Sequence, residues 1–178
     1  DKYVNNCITC ILATKNKGKQ EGLLKPIDKN DVPLQTYHVD HIGPLESTAK
    51  SYKHILVVVD AFSKFVWLYT TKSTGSAEVV KKLDAQKAIF GNPDRIVADR
   101  GAAFTSKEFE DYCKNENIEL HLTTTATPRG NGQVERINAI VKQTIIKMAM
   151  EKPKQWYKYV EAVQLAINTA TTRSTGFT

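Results

Sequence analysis

The segment HILVVVD, residues 54–60, constrains the fold more than any other. Ile55 to Val59 are consecutive apolar residues, all β-branched except Leu56, and the run stops at the charge of Asp60. A half-buried strand would alternate apolar with polar, and an amphipathic helix would repeat every three to four residues; this run does neither. It reads as a strand buried on both faces, which requires a layer of structure on each side of its sheet. FSKFVWLYTT, residues 62–71, follows so closely that the two runs predict an antiparallel hairpin turning near Ala61 to Lys64.

The other segments supply the layers. Leu34 to Ile42 alternates weakly and predicts a first strand. Ser76 is placed to cap a helix with apolar positions Val79, Val80, Leu83 and Phe90, ended by Gly91-Asn92-Pro93. RIVAD (95–99) predicts a fourth strand, about 106–117 a helix, and IELHLTTT (118–125) a fifth strand. Two helices close the chain, about 132–151 and, beyond Pro153, about 154–169. In the first, Val134, Ile137, Val141, Ile145 and Met148 form the predicted core stripe. The order β, β, β, α, β, α, β, α, α implies an α/β fold with a mixed five-stranded sheet flanked by helices.

Composition adds bounds. The 178 residues suffice for one sizeable core, and 41% hydrophobic with 25% charged residues describes an ordinary globular chain. Ile55 to Val59 is far too short to span a bilayer, and no leader pattern stands at the start, so no membrane role is expected. The chain starts abruptly at Asp1, as an excised piece of something longer would. A net charge of +6 favours a polyanionic partner. Three cysteines cannot build a disulfide framework, which fits an intracellular, reducing compartment; Cys113 reads as a small buried hydrophobe.

Three carboxylates fall at element ends: Asp40 in HVDHIGP, Asp99 in VADRG, and Glu135 one turn into the helix that follows TPRGNG. Each has a bland explanation. A charge can mark where a strand reaches water, and an acid in a first helical turn is stabilised by the helix dipole. Together they say more. If strands one and four are neighbours, Asp40 and Asp99 meet at one sheet edge, where open α/β sheets place their chemistry. Glu135, Asn138 and Lys142 share a helix face distinct from the core stripe. Converging carboxylates suit two-metal phosphoryl transfer, because Mg²⁺ takes hard oxygen ligands and two ions about 3.5–4 Å apart serve the attacking and leaving oxygens. Asp40 would bridge both ions, Asp99 completing one site and Glu135 the other.

HVDHIGPL, VVVDAFSKFVWLY, IVADRGAAFTSKEFEDYC and TPRGNGQVERINAIVKQTI, in this order, resemble the catalytic core of Gypsy-type LTR-retrotransposon integrases. That family is close to the retroviral integrases and belongs to the DDE polynucleotidyl transferases. The resemblance covers roughly residues 34–178 and includes the separation of Asp99 from Glu135 by 35 residues. It implies an RNase H-like fold and metal-dependent processing and strand transfer of retroelement DNA ends into target DNA. It further implies Asp40, Asp99 and Glu135 as the metal-binding catalytic triad, two Mg²⁺ with Mn²⁺ as a substitute, and a homo-oligomer, dimer or tetramer. The reaction would take place in the nucleus. Asn131, Asn138 and Lys142 resemble positions that touch DNA ends. Many relatives carry a histidine in the loop before the glutamate, and this chain has Thr127-Pro128-Arg129 there.

Cys7 and Cys10 supply half the ligands of a zinc site. Beside the resemblance, residues 1–13 look like a remnant of an N-terminal HHCC domain, with 14–33 as a lysine-rich linker. No histidine precedes Cys7, so no complete zinc site is expected, and His38, His41, His54 and His121 read as packing or surface residues. Asp60 is expected to cap a turn or pair with Lys64, and Glu78 to serve the helix dipole. A ribonuclease H-type nuclease would instead require Glu78 as a further acid, and a domesticated DNA-binding scaffold would need no triad.

Overall fold

A computed structural model describes residues 32–123 and 132–170. Expectations for Cys7, Cys10, the linker and Asn131 lie outside the described residues. The chain order is β1 Thr36–Ile42, β2 His54–Asp60, β3 Val66–Thr71, α1 Ser76–Phe90, β4 Arg95–Ala98, α2 Lys107–Asn115, β5 Glu119–Leu122 and α3 Gly132–Met148. A 3₁₀ helix, Pro153–Tyr159, then leads into α4, Val160–Thr169.

The five strands form one sheet in the order β3-β2-β1-β4-β5. β1 pairs antiparallel with β2 and parallel with β4, so the expected mixed sheet and the adjacency of strands one and four are both present. The uninterrupted apolar run of β2 now has its reason. Leu56 and Val58 pack with Val79 and Leu83 of α1 and Phe109 and Cys113 of α2. Ile55, Val57 and Val59 pack on the opposite face with Val134, Val141 and Ile145 of α3 and Val160 and Val163 of α4. Each such side chain contributes on the order of 1.5–3 kcal/mol by leaving water. A polar residue anywhere in the run would lose this on one face.

Several element ends differ from expectation. The N-cap of α1 is Gly75, while Ser76 lies within the helix and its hydroxyl donates to Glu108 Oε2 at 2.5 Å, tying α1 to α2. The stripe of α3 ends on Ala149, which is buried, whereas Met148 is 42% exposed. From Ile145 the inward direction falls four residues on, because the helical period is 3.6 rather than 3. Phe90 is also partly exposed and meets Trp67 edge-on at 5.2 Å. The segment after Pro153 begins as 3₁₀ helix, where buried Trp156 donates from Nε1 to Glu46 O at 2.7 Å.

The outer edge of β3 is blocked by side chains. Asn168 of α4 accepts from Val66 N–H and donates to Val66 O, both at 2.8 Å, and Gln164 Oε1 accepts from Leu68 N–H at 2.7 Å. An edge strand offers unpaired backbone groups to other chains, and here α4 occupies them.

Candidate active site

The β1–β4 register places the first two acids. His38 pairs with Val97 and Val39 with Ala98, so the next step along both parallel strands sets Asp40 beside Asp99. Asp40 points to the face carrying α3, opposite to that of Val39. There its Oδ2 accepts a hydrogen bond from Asn138 Nδ2 at 2.7 Å, and its Oδ1 accepts from the His41 N–H at 2.7 Å. The Asp40 pKa is raised to about 6, chiefly by burial, with the charges of Asp99 and Glu135 acting in the same direction. The hydrogen bonds from His41 and Asn138 act against this rise without cancelling it.

Asp99 ends β4 in a tight turn, its Oδ1 accepting from the Gly101 N–H at 2.9 Å. A Cβ on Gly101 would stand 2.9 Å from that same oxygen, so any larger residue there would displace the Asp99 carboxylate. Glu135 lies exposed in the first turn of α3, and Lys142 is exposed two turns further on. Next to Asp40, the His41 ring stacks on buried Phe104 at 5.4 Å. Burial and the neighbouring His54 lower the His41 pKa to about 4, so the ring is neutral at pH 7. His41 is thus a packing residue, as expected, whose backbone N–H serves the site.

The three acids share one end of the fold but do not form a closed ligand set. Among the described residues no group of three or more His, Cys, Asp or Glu side chains is arranged to hold a metal ion. Like charges without a cation repel, and Asn138 takes one oxygen of Asp40. The donors nonetheless fit Mg²⁺ or Mn²⁺: all are hard carboxylate oxygens, and the excess negative charge felt by Asp40 is what a divalent cation would relieve.

Two other acids prove structural. Asp60 is fully buried and accepts from Leu34 N–H at 3.0 Å, Ser63 N–H at 2.7 Å and Ser63 Oγ at 2.5 Å, capping the hairpin turn. Lys64 contributes its backbone N–H to Asp60 O. Glu78 accepts from the N–H groups of Lys72 and Ser73 and from Ser73 Oγ, which lower its pKa against the opposing effect of burial. The sequence reading missed the bond between Asn138 and Asp40, although the shared face of Asn138 and Glu135 was its signal.

Residues 31–128 match the family model described as integrase core domain, more than half of the chain. The chain belongs to the integrase core domain family. It is 36% identical over 177 residues to the Pro-Pol polyprotein of simian foamy virus type 3, covering 99% of this chain and 15% of that protein. It is 31% identical over 179 residues to the transposon Tf2-3 polyprotein of Schizosaccharomyces pombe, covering 99% of this chain and 13% of that protein. The chain therefore spans about one-seventh of the length of these relatives. The magnesium complex of the HTLV-2 integrase catalytic core domain, in a trimeric form, superposes with a TM-score of 0.66 at 25% identity, covering 83% of this chain and 94% of that one. The integrase core fold, a mixed five-stranded sheet between helices, is the RNase H-like architecture. Among the described residues no helix is long and apolar enough to cross a membrane.

Proposed function

We propose that this integrase core catalyses metal-dependent 3′-end processing of retroelement DNA and joining of the processed ends to target DNA. The carrying observation is the parallel β1–β4 register that sets Asp40 beside Asp99, with the charge of Glu135 reaching Asp40 from α3. Asp40, Asp99 and Glu135 would hold two Mg²⁺, or Mn²⁺ in their place. When bound, the ions supply Lewis acidity that activates water or a 3′-hydroxyl and stabilises the leaving oxygen.

The chain's own residues prepare the site. Gly101 N–H fixes one oxygen of Asp99, and His41 N–H fixes one oxygen of Asp40. Asn138 orients the other oxygen of Asp40 and would yield it to a cation. Lys142, exposed on the helix that bears Glu135, suits a DNA phosphate, and Asn131 is assigned to the same DNA end. Retroelement ends and target DNA are the partners, a homo-oligomer the working form, and the nucleus the place of joining. Residues 34–178 form the catalytic core in this reading, after a zinc-domain remnant (1–13) and a linker (14–33). The ribonuclease H-type alternative loses support because Glu78 is engaged by Lys72 and Ser73.

Strand transfer with short end-mimicking duplexes and Mg²⁺ or Mn²⁺, using the chain in its full-length context, tests the proposal. Glu135→Gln is expected to abolish joining while leaving the fold intact, since Glu135 is exposed. Normal joining by this variant refutes the triad. Absence of joining by the unmodified protein, with DNA binding retained, favours the scaffold reading.

A further inference from the structure

The connection between β1 and β2 carries a lysine and tyrosine surface outside the carboxylate site. Trp156 donates to Glu46 O and so fastens the 3₁₀ helix to this connection. The same contact brings Tyr52 and Tyr157 together, ring centroids 5.8 Å apart, and seats Lys50 Nζ 5.2 Å from the Tyr157 centroid. In a 3₁₀ helix residues three apart eclipse, so Lys154 lies on the same side of that helix as Tyr157. Lys152 precedes the helix, and Lys158, on the adjacent side, donates to Gln155 Oε1 at 2.9 Å. Lys50, Lys152, Lys154 and Lys158 are all exposed. Glu46 and Glu151 stand in the same two segments, yet the ion pairs among the described residues lie elsewhere, at Lys87–Glu116 and Arg95–Glu119.

We propose that Lys50, Lys154 and the Tyr52–Tyr157 pair form a second nucleic-acid contact, which binds the phosphate backbone without reading sequence. The choice of nucleic acid rests on the proposed DNA substrate; the surface itself rests on the side-chain arrangement. Two features favour a phosphate backbone over an acidic protein. The lysines come from two segments fastened by a buried tryptophan, which makes the charge a fixed surface rather than a tail. One of them also leans on an aromatic ring, a pairing that serves both the charge and the sugar-base surface of a nucleic acid.

The experiment measures binding of a mixed-sequence DNA duplex by fluorescence anisotropy across a salt series, with the full-length protein and Ca²⁺ in place of a catalytic metal. Lys50→Gln/Lys154→Gln is expected to weaken binding about 10-fold near 0.1 M salt and to reduce the slope of log K against log salt by about 2. Lys81→Gln/Lys107→Gln, two exposed lysines of the opposite helical layer, should change binding less than 2-fold. Equal losses for the two pairs would overturn the proposal, as would no loss for the first. A loss with Lys142→Gln but not with Lys50→Gln/Lys154→Gln overturns the second contact and leaves the DNA reading standing. Failure of the unmodified protein to bind DNA removes both. Displacement of DNA by an equally charged polyglutamate, dependent on Lys50 and Lys154, overturns the proposal in favour of an acidic protein partner.

Discussion

Asp60 and Asp40 stand three register steps apart on one strand pair, and their surroundings differ. In the β1–β2 ladder Tyr37 pairs with Asp60 and Asp40 with Val57. Asp60 is fully buried and receives three hydrogen bonds. Asp40 is only partly buried, yet burial is the chief cause of its raised pKa, and the charges of Asp99 and Glu135 add to that rise. Burial alone does not separate a structural acid from a catalytic one. The neighbouring acids do: the Asp60 carboxylate is met by hydrogen-bond donors, whereas Asp40, which also accepts two hydrogen bonds, faces the charges of Asp99 and Glu135.

The largest test of this contrast concerns activity. Asp40→Asn keeps the shape and the oxygen that accepts from Asn138 but removes a proposed metal ligand, so strand transfer should fall by about 10³-fold or more, equivalent to about 4 kcal/mol of barrier. The same variant, free of metal at pH 7, should be at least as stable as the parent in urea denaturation. A variant that lost activity and stability together would make Asp40 a structural residue like Asp60.

Asp60→Ala should give the opposite pattern. Removing the acceptor leaves the part-buried Leu34 and Ser63 N–H groups without this partner, a cost of about 1–3 kcal/mol each at full burial, so a loss of about 2 kcal/mol is expected. Asp60→Asn, which retains one acceptor oxygen, should lose about half as much. A urea midpoint unchanged in Asp60→Ala would remove the structural assignment.

The third test is the pH dependence of stability. The Asp40 pKa is raised from 3.8 to about 6 in the fold, so between these values the folded state holds more protons than the unfolded chain. The contribution is fully present below about pH 4 and is lost as pH rises through about 6. Since the group is partly open to solvent, about 1–2 kcal/mol is a fair scale. Chemical denaturation in EDTA should show this decline in the parent and a flatter profile in Asp40→Asn. Mg²⁺ at pH 7 should restore the loss. A rise in stability across the same window, specific to Asp40, would mean that its charge is compensated in the fold.

How far these differences could be read in the sequence depends on their range. The β-branched run of β2 announced a strand buried on both sides, and the order of the later elements announced a mixed sheet. That Asp40 and Asp99 meet depended on the neighbouring of β1 and β4, which the sequence left as a condition and the sheet order supplies. Local periodicity also placed Asn138 on the face of Glu135, but it could not say which atom of the sheet that face would reach; the bond spans 98 positions. The same limit hid the donors of Asp60, since Leu34 is 26 positions away. At element ends one or two residues decide the outcome, as Gly75 rather than Ser76 and Ala149 rather than Met148 illustrate.

The smallest effect belongs to Asn138→Ala, because two terms oppose. The substitution removes a donor to Asp40 Oδ2, which raises the Asp40 pKa further and lowers stability at pH 7. It also removes Asn138 Oδ1, a buried oxygen with no hydrogen-bond partner, whose desolvation cost then disappears. The two should nearly cancel, within about 0.5 kcal/mol in urea denaturation, although the Asp40 titration followed by carboxyl ¹³C NMR moves upward. The corresponding Ser63→Ala has no such compensation, since it takes an Oγ donor from Asp60 and returns nothing; it should cost about 1 kcal/mol. If Asn138→Ala left the Asp40 titration where it was, the amide would not be acting on the carboxylate. Asn138 would then be available to DNA alone.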